Sequence, residues 1–304
     1  MTQGERRSRA QGGSVKVKVS EHHIDIVSVN ALLCNAVEAE VSQACDLTVS
    51  QYRALLRLVV NRKPMRMTEL AKQLFLSQSA VTAAVTRLEE RGAIKRVDSA
   101  ADRRTVLVEL TAKGAETIVA ADKAVTGHIV AIKELLDERV AAAMLQRCAE
   151  VVDHYDIARV ENDRIRADSA FFDTLLIVQS HIAIATKAHG LSVGEYRVLY
   201  LLSLMHDGAR PSALSSELVM RTNDVTVATN KLIESDLVKR SRDPRDRRAF
   251  ILEITSKGYE VANKTAFAVA TRVRHLYPTE IEILDVHDSL SHTLMNRFRQ
   301  QRGI

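Results

Sequence analysis

The sequence predicts a mainly α protein with small β-wings (α+β), in which one kind of domain occurs twice in tandem. Three observations support this prediction. Glycine (11 residues) and proline (4) are scarce in a chain of 304 residues, which favours helices joined by short loops over a β-sandwich. The chain also contains an internal repeat of domain size. Within each copy, the spacing of apolar residues changes from the helical period of about 3.6 to the strand period of about 2.

The two copies align without a gap at an offset of 144 residues. LTVSQYRALLRL, from Leu47, matches LSVGEYRVLYLL, from Leu191. KRVDSAADRRTVLVELTAKG, from Lys95, matches KRSRDPRDRRAFILEITSKG, from Lys239. Each copy is far longer than a solenoid repeat of about 20–50 residues, so each copy is predicted to be a domain.

The same helix signals occur in each copy. Thr48-x-x-Gln51 and Ser192-x-x-Glu195 are capping boxes, which predict a helix start at equivalent places. A short helix near Thr68, a turn and a further helix follow. The last helix has the i, i+3, i+4, i+7 apolar spacing at Val81, Ala84, Val85 and Leu88, and in the second copy at Val225, Ala228 and Leu232.

After these helices, the apolar period changes to that of a strand. Residues 105–110 and 249–254 are predicted strands, each preceded by a polar, basic hairpin and followed by T-x-K-G at the start of a helix. Helix, helix, turn, helix and a two-stranded basic hairpin make a winged helix-turn-helix. Long amphipathic helices are predicted on both sides of each unit, over about 21–46, 112–160, 169–190 and 256–299.

The predicted organisation is therefore two tandem winged helix-turn-helix domains with long terminal helices. A basic disordered arm (1–20) precedes the first domain (21–160), and a linker (161–168) leads to the second (169–304). The arm could contact DNA or have no function, and the sequence favours neither.

Composition bounds the environment of the protein. The net charge of +5 is a modest excess and is weak evidence for nucleic acid by itself. The N-terminus lacks the apolar region of a signal peptide, and no run of about 18 apolar residues is present. Cys34, Cys45 and Cys148 follow no paired spacing, which is typical of a reducing compartment. We expect a cytoplasmic protein without a membrane span.

With these motifs in hand, each half resembles the MarR family of bacterial regulators. The most specific elements are Asp102-Arg-Arg104 and Asp246-Arg-Arg248, each followed by a strand and then L/I-T-x-K-G. The first copy lacks the earlier arginine of DPRDRR, so its wing is expected to hold DNA less firmly. Cys34 and Cys45 do not match the spacing of redox-sensing members, which favours free buried thiols.

The resemblance implies a dimer of terminal helices, paired recognition helices in successive major grooves of double-stranded DNA, and usually repression. It also implies release by a small aromatic or anionic effector. Because this chain carries both units, we expect an intrachain pseudo-dimer. Further dimerisation, the effector, the operator and the sign of regulation stay open.

The helix after the turn reads base edges through its N-terminal part. Asparagine and glutamine pair with adenine, whereas arginine and lysine pair with guanine. Because the two copies differ at nearly every exposed position, they are expected to read unlike half-sites. The candidates are Ser77, Gln78, Ser79, Thr82, Thr86 and Arg87 in the first copy, and Arg221, Thr222, Asn223, Thr226, Asn230 and Lys231 in the second.

The wings are expected to add affinity through phosphate or minor-groove contacts. Asp102 and Asp246 are expected to pair with a neighbouring arginine and shape the wing. The Tyr52-Arg53 and Tyr196-Arg197 pairs are interpreted either as lining a cleft or as partial core. The wing candidates are Arg103, Arg104, Arg245, Arg247 and Arg248.

Other function classes have weaker support. The sequence lacks G-x-G-x-x-G, the P-loop, H-E-x-x-H and G-x-S-x-G, so we expect no enzyme, catalytic residue or cofactor. His22-His23, and His287 with His292, lack the i, i+4 spacing of a helical metal site, so no metal is predicted. A non-sensing architectural DNA-binding protein and a winged-helix protein-interaction module remain as alternatives.

Overall fold

The computed structural model describes residues 19, 22–99, 105–134, 138–154, 169–243, 246–276 and 282–301. Nearly all of the predicted arm and the whole predicted linker lie outside these residues.

The first half follows the predicted order of elements with two differences: a two-residue strand follows the second helix, and the predicted helical span 112–160 contains two helices. Its helices and strands are α1 (His23–Cys45), α2 (Val49–Asn61), β1 (Met65–Arg66), α3 (Met67–Leu74), α4 (Gln78–Glu90), β2 (Ile94–Asp98), β3 (Val106–Leu110), α5 (Ala112–Glu134) and α6 (Glu138–His154).

The second half repeats this order, which confirms the tandem arrangement, except that a single bridge between Ala209 and Leu252 takes the place of the first short strand. Its elements are α7 (Ser169–Lys187), α8 (Val193–Leu204), α9 (Pro211–Glu217), α10 (Thr222–Glu234), β4 (Val238–Asp243), β5 (Asp246–Ile254), α11 (Ser256–Arg274) and α12 (Glu282–Gln301).

Both predicted capping boxes are confirmed. The Thr48 hydroxyl accepts from the Gln51 amide at 3.3 Å, and the Gln51 side chain accepts from the Thr48 amide at 2.8 Å. Ser192 and Glu195 make the same exchange at 3.2 and 3.0 Å. Two otherwise unsatisfied backbone donors are bonded at each start, so α2 and α8 begin at equivalent positions.

The wings differ from the prediction in two respects. A third strand, β1, pairs with β3 and extends the first wing to three strands. Two residues are too few to show a period, so no sequence signal marks this strand. In the second half, β5 begins at Asp246, three residues before the predicted start, because Asp243 pairs with Asp246 across the turn.

The repeated T-x-K-G motif joins each wing to the helix that follows. The Thr111 hydroxyl donates to the Gly92 carbonyl at 2.7 Å and accepts from the Gly114 amide at 3.1 Å. Lys113 Nζ donates to the Arg91 carbonyl at 2.7 Å. These bonds satisfy carbonyls that the end of α4 leaves without intrahelical partners.

The glycine of the motif is required by close backbone packing. A Cβ on Gly114 would lie 2.0 Å from the carbonyl oxygen of Ala93, and one on Gly258 would lie 2.0 Å from that of Leu237. The second half repeats the other contacts as well, with Thr255 donating to Asp236 and Lys257 donating to Ser235. The motif is therefore a structural joint in both domains.

The long helices of the two halves share one core. Helix α1 packs against α5, α7, α8 and α12, and α6 packs against α7. Residues 23–31 of α1 are buried without interruption, so this segment is enclosed on all sides. Asn30 Nδ2 donates to Gln179 Oε1 at 2.8 Å, which joins α1 to α7. Within the described ranges, no helix combines the length and apolar character that crossing a membrane requires.

We predict that Gly114→Ala destabilises the protein, because the added methyl group overlaps the Ala93 carbonyl. Overpacking of this kind lowers the free energy of unfolding by about 1–3 kcal/mol or more, measurable by urea titration. The control is Gly127→Ala in α5, where no atom lies within 4 Å of the new Cβ and a gain of about 0.5–1 kcal/mol is expected. Equal stability of Gly114→Ala and the parent would refute the packing argument.

Candidate nucleic-acid interface

Helix α4 exposes the face that the sequence predicts. Ser77 caps the helix by accepting from the Ala80 amide at 3.3 Å, and Val81, Val85 and Leu88 anchor its inner side. On the opposite side, Thr86 is half-buried, and the other predicted residues are exposed. These are Ser77, Gln78, Ser79, Thr82 and Arg87.

Helix α10 has the same design with a different outer face. Val225, Ala228 and Leu232 are buried, and Val227, which the sequence analysis did not select, is an exposed apolar residue on the outer side. Its neighbours on that side are Arg221, Thr222, Asn223, Thr226, Asn230 and Lys231, all exposed.

An arginine from the first wing strand holds each recognition helix at the same position. Arg96 Nη2 donates to Thr86 Oγ1 at 3.1 Å, and Arg240 Nη2 donates to Asn230 Oδ1 at 2.8 Å. The two contacts are related by the repeat offset. Sequence reasoning missed these arginines, although their conserved place in both copies was the signal that could have found them.

Two further candidate residues already have ion-pair partners within the chain. Lys231 Nζ lies 3.4 Å from Glu195 Oε1, and Arg87 Nη1 lies 3.1 Å from Glu90 Oε2. Both cations are exposed, so such pairs contribute little stability and exchange readily with other anions.

The tips of the wings are only partly described. Arg103, Arg104 and Arg245 lie outside the described residues, as does Asp102. The backbones of Arg247 and Arg248 belong to β5, but their side chains lie outside the description. The structure therefore leaves the wing contacts as a prediction from the sequence.

Asp246 pairs with an arginine, but with one from the base of the wing. Arg210 Nη2 lies 3.6 Å from Asp246 Oδ2 and 2.6 Å from Asp243 Oδ2. Its Nε also donates to Asp243 at 2.7 Å. Ser99 occupies the position of Asp243 in the first half, so this ion pair is confined to the second wing among the described residues.

Beneath each interface, a buried arginine holds the helix-turn-helix. Arg53 Nη1 donates to the Leu74 carbonyl at 2.7 Å, and Arg197 donates to the Leu218 carbonyl. Both carbonyls lie at the end of the helix before the turn, where partners and positive charge are favourable. Burial lowers the pKa of each guanidinium to about 10, so both remain charged at neutral pH.

The two buried arginines meet different groups from the opposite half. Arg53 Nε lies 3.6 Å from Asp173 Oδ1 of α7, and Arg57 forms an ion pair with the same carboxylate. Arg197 Nε instead donates to Ser28 of α1 at 3.1 Å. The first junction between the halves is therefore ionic, and the second is neutral apart from its arginine.

The recurring tyrosines are core residues. Tyr52 and Tyr196 have no exposed surface. The Tyr52 hydroxyl donates to Asp122 Oδ1 at 3.1 Å, within the first half. The Tyr196 hydroxyl lies 2.6 Å from Nε2 of His23, which belongs to α1. Both tyrosines thus tie the winged part to the long helices.

The cysteines carry no activated thiol. All three are free, and burial raises the pKa of Cys34 and of Cys148 to about 12. Burial also raises the pKa of Cys45. Because the thiolate is the reactive form, these pKa shifts disfavour redox sensing, although Cys34 and Cys45 are only partly buried and not fully buried as predicted.

We predict that stability falls as pH falls from 6.5 to about 4. Burial lowers the pKa of His23 from 6.5 to about 4, so the unfolded chain binds a proton in this window that the folded chain does not. The free energy of unfolding therefore rises with pH through the window and levels off above it. His23 accounts for about 3 kcal/mol of this effect, and His181, whose pKa burial also lowers, adds to it in the same direction.

Urea unfolding at a series of pH values measures this slope. His23→Gln, which can still bond to Tyr196, should flatten it, whereas the exposed His275→Gln should leave it unchanged. An unaltered slope in His23→Gln would show that His23 is not the responsible group.

Comparison with known proteins agrees with this geometry. Residues 47–106 match the model of the MarR family, and residues 180–265 match that of the transcriptional regulator SarA/Rot. The first span contains α2 to the start of β3, and the second contains α8 to β5. The chain thus carries two tandem winged-helix domains.

Individual relatives match parts of the chain. MhqR of Bacillus subtilis (strain 168), an HTH-type transcriptional regulator, is 30% identical over 87 residues, or 28% of this chain and 59% of that protein. YkoM of the same organism, an uncharacterised HTH-type transcriptional regulator, is 29% identical over 113 residues, or 36% and 73%. The crystal structure of BldR from Sulfolobus solfataricus covers 42% of this chain and 90% of its own, with 23% identity and a TM-score of 0.38.

Proposed function

Because this chain carries a MarR-family winged-helix domain and a second winged-helix regulator domain in tandem, we propose that it is a cytoplasmic, sequence-specific DNA-binding transcriptional regulator. The observation that carries the proposal is that α4 and α10, at equivalent positions of the two halves, expose equivalent faces. Each helix buries its apolar side and exposes polar groups at its N-terminal part. In helix-turn-helix proteins, that part contacts base edges in the major groove.

The two halves act together as an intrachain pseudo-dimer. Support comes from the shared core, in which α1 of the first half packs against α7 and α12 of the second. Terminal helices supply the contacts between subunits in the dimers of the resembled family. In paired helix-turn-helix units, the half-sites lie about 34–36 Å apart, which is one turn of the duplex.

The half-sites are unlike. Gln78 and Ser79 in α4 correspond to Thr222 and Asn223 in α10. Glutamine and asparagine both suit adenine, but they stand one position apart along the helix. The arginines of the wings add phosphate contacts that are independent of sequence. The operator is therefore an imperfect palindrome. Repression of transcription is proposed on the family resemblance alone.

An anionic aromatic effector releases the DNA. A groove of about 1160 Å³ lies at the base of the second wing, and its charged lining residues are Arg210, Arg242, Asp207, Asp243 and Glu253. An anion in this groove competes with Asp243 for Arg210 and so loosens the contact that fixes the wing. The effector thereby lowers DNA affinity without touching the recognition helix.

Selection of DNA from a random pool by the purified chain tests the regulator function. We expect one enriched site with two unlike halves about one helical turn apart.

Gln78→Ala and Asn223→Ala form a matched pair, each expected to relax preference in one half-site only, by about 1–3 kcal/mol. Arg248→Ala should weaken binding to all sequences and lower the salt slope by about 1.

The outcomes separate the alternatives. Weak, salt-sensitive binding without enrichment would support a non-sensing architectural DNA-binding protein. The absence of DNA binding at low salt would support a protein-interaction module. Relaxation of both half-sites by one variant would contradict the division of reading between the two halves.

We predict that benzoate weakens binding to the selected site, whereas benzyl alcohol, which has the same ring without the charge, does not. Fluorescence anisotropy of labelled DNA measures the change. If benzoate leaves the affinity unchanged, release by an aromatic anion is wrong.

A further inference from the structure

The first turn of α1 and the second half of α12 bring together three groups that suit a metal ion. His22, Asp25 and His292 each offer one ligand atom, and the three atoms lie within 4.8 Å of one another. His22 and His292 are 270 residues apart in the sequence. The sequence spacing of these residues therefore could not reveal the cluster. The expectation that no metal site exists considered only histidines that are close together in the sequence.

We propose that His22, Asp25 and His292 form a binding site for one divalent transition-metal ion, of which Zn²⁺ is the reference. The Nδ1 atoms of His22 and His292 lie 4.0 and 2.8 Å from Asp25 Oδ2. Ligand bonds of about 2.0–2.2 Å place tetrahedral ligand atoms about 3.3 Å apart. To bind the ion, the His22–Asp25 distance must shorten and the His292–Asp25 distance must lengthen, each by less than 1 Å.

The exposure of the three groups suits ion entry. The Asp25 side chain is 7% exposed, whereas those of His22 and His292 are 38% and 44% exposed. The rings of the two histidines face each other, with centroids 4.3 Å apart. A buried carboxylate thus forms the floor of the site, and two partly exposed imidazoles form its rim.

Surrounding side chains supply the hydrogen bonds that orient metal ligands. Arg299 Nη2 donates to Asp25 Oδ1 at 3.2 Å, which leaves Oδ2 for the ion. Asn296 Nδ2 lies 3.1 Å from His292 Nε2. When Nδ1 binds the ion, the ring proton moves to Nε2. The Asn296 amide must then turn to accept this proton, and its oxygen gives up the hydrogen bond that it accepts from Arg299 Nη1 at 3.1 Å.

The charge and the donor set indicate the class of ion. Arg299 also lies 3.4 Å from Glu217 Oε2. With neutral imidazoles, Asp25, Glu217 and Arg299 together carry one net negative charge. Two nitrogen donors and one oxygen donor favour Zn²⁺, Co²⁺, Ni²⁺ or Cu²⁺ over Mg²⁺ and Ca²⁺, which prefer oxygen.

The site is coupled to the second winged domain. Arg299 Nε donates to the carbonyl of Glu217, the last residue of α9, at 3.1 Å. The same guanidinium holds Asp25 of α1. Asp25 of α1 is therefore linked through Arg299 of α12 to the end of α9, the helix before the recognition helix α10. An ion bound at Asp25 would act along these contacts.

Titration of the chelator-treated full chain with ZnCl₂, followed by calorimetry, tests the site. We expect one ion per chain and a higher thermal unfolding midpoint, because the ion binds the folded state only. CoCl₂ should give the intense visible absorption of a tetrahedral site, and MgCl₂ should not bind. These readouts need no DNA, so they stand apart from the regulator function.

His22→Gln and His292→Gln should each weaken Zn²⁺ binding by at least about 100-fold, since loss of an outer partner alone costs about 10–100-fold. The control is His275→Gln, an exposed histidine in α11's C-cap position, with unchanged binding expected. Circular dichroism confirms that each variant is folded. Absence of Zn²⁺ binding to the parent, or equal binding by His22→Gln, His292→Gln and the parent, would overturn the proposal.

Discussion

The architecture depends on the complete enclosure of the first part of α1. A helix that is buried over nine consecutive residues turns no side towards water, so neighbours must cover its whole circumference and provide partners for its buried polar side chains. Helices α2 and α5 of its own half pack against α1, and so do α7, α8 and α12 of the other half. The first half therefore cannot bury its apolar surface without the second.

Buried polar contacts make this shared core asymmetric. The Arg57–Asp173 ion pair at one junction has no ionic counterpart at the other, where Leu201 stands in place of Arg57. Such a pair adds little net stability, because desolvation offsets the attraction. Removing one partner is costly, however, because the other charge is then buried without a partner. A different packing of the two halves would separate the charges in the same way. The pair therefore penalises arrangements of the two halves that leave Arg57 or Asp173 buried without the other.

Local signals allowed much of this fold to be predicted from the sequence. The capping boxes, the recognition helices and T-x-K-G depend on contacts within a few residues or on one repeated close approach, and the repeat displayed each of them twice. The exposed faces of α4 and α10 followed from helical spacing. Contacts between distant segments left no such signal: the pairing of β1, the Arg210–Asp243 ion pair, and the meeting of His22 with His292 depend on tertiary packing alone.

Covalent continuity between α1 and α12 changes how the two recognition helices come together. Separate subunits meet at a rate that depends on their number in the cell, and dilution parts them. In this chain, the partner surface is always present at the high effective concentration of a tethered segment. In the proposed pseudo-dimer, the pairing of the two recognition helices is thus independent of expression level, because each chain carries both of them.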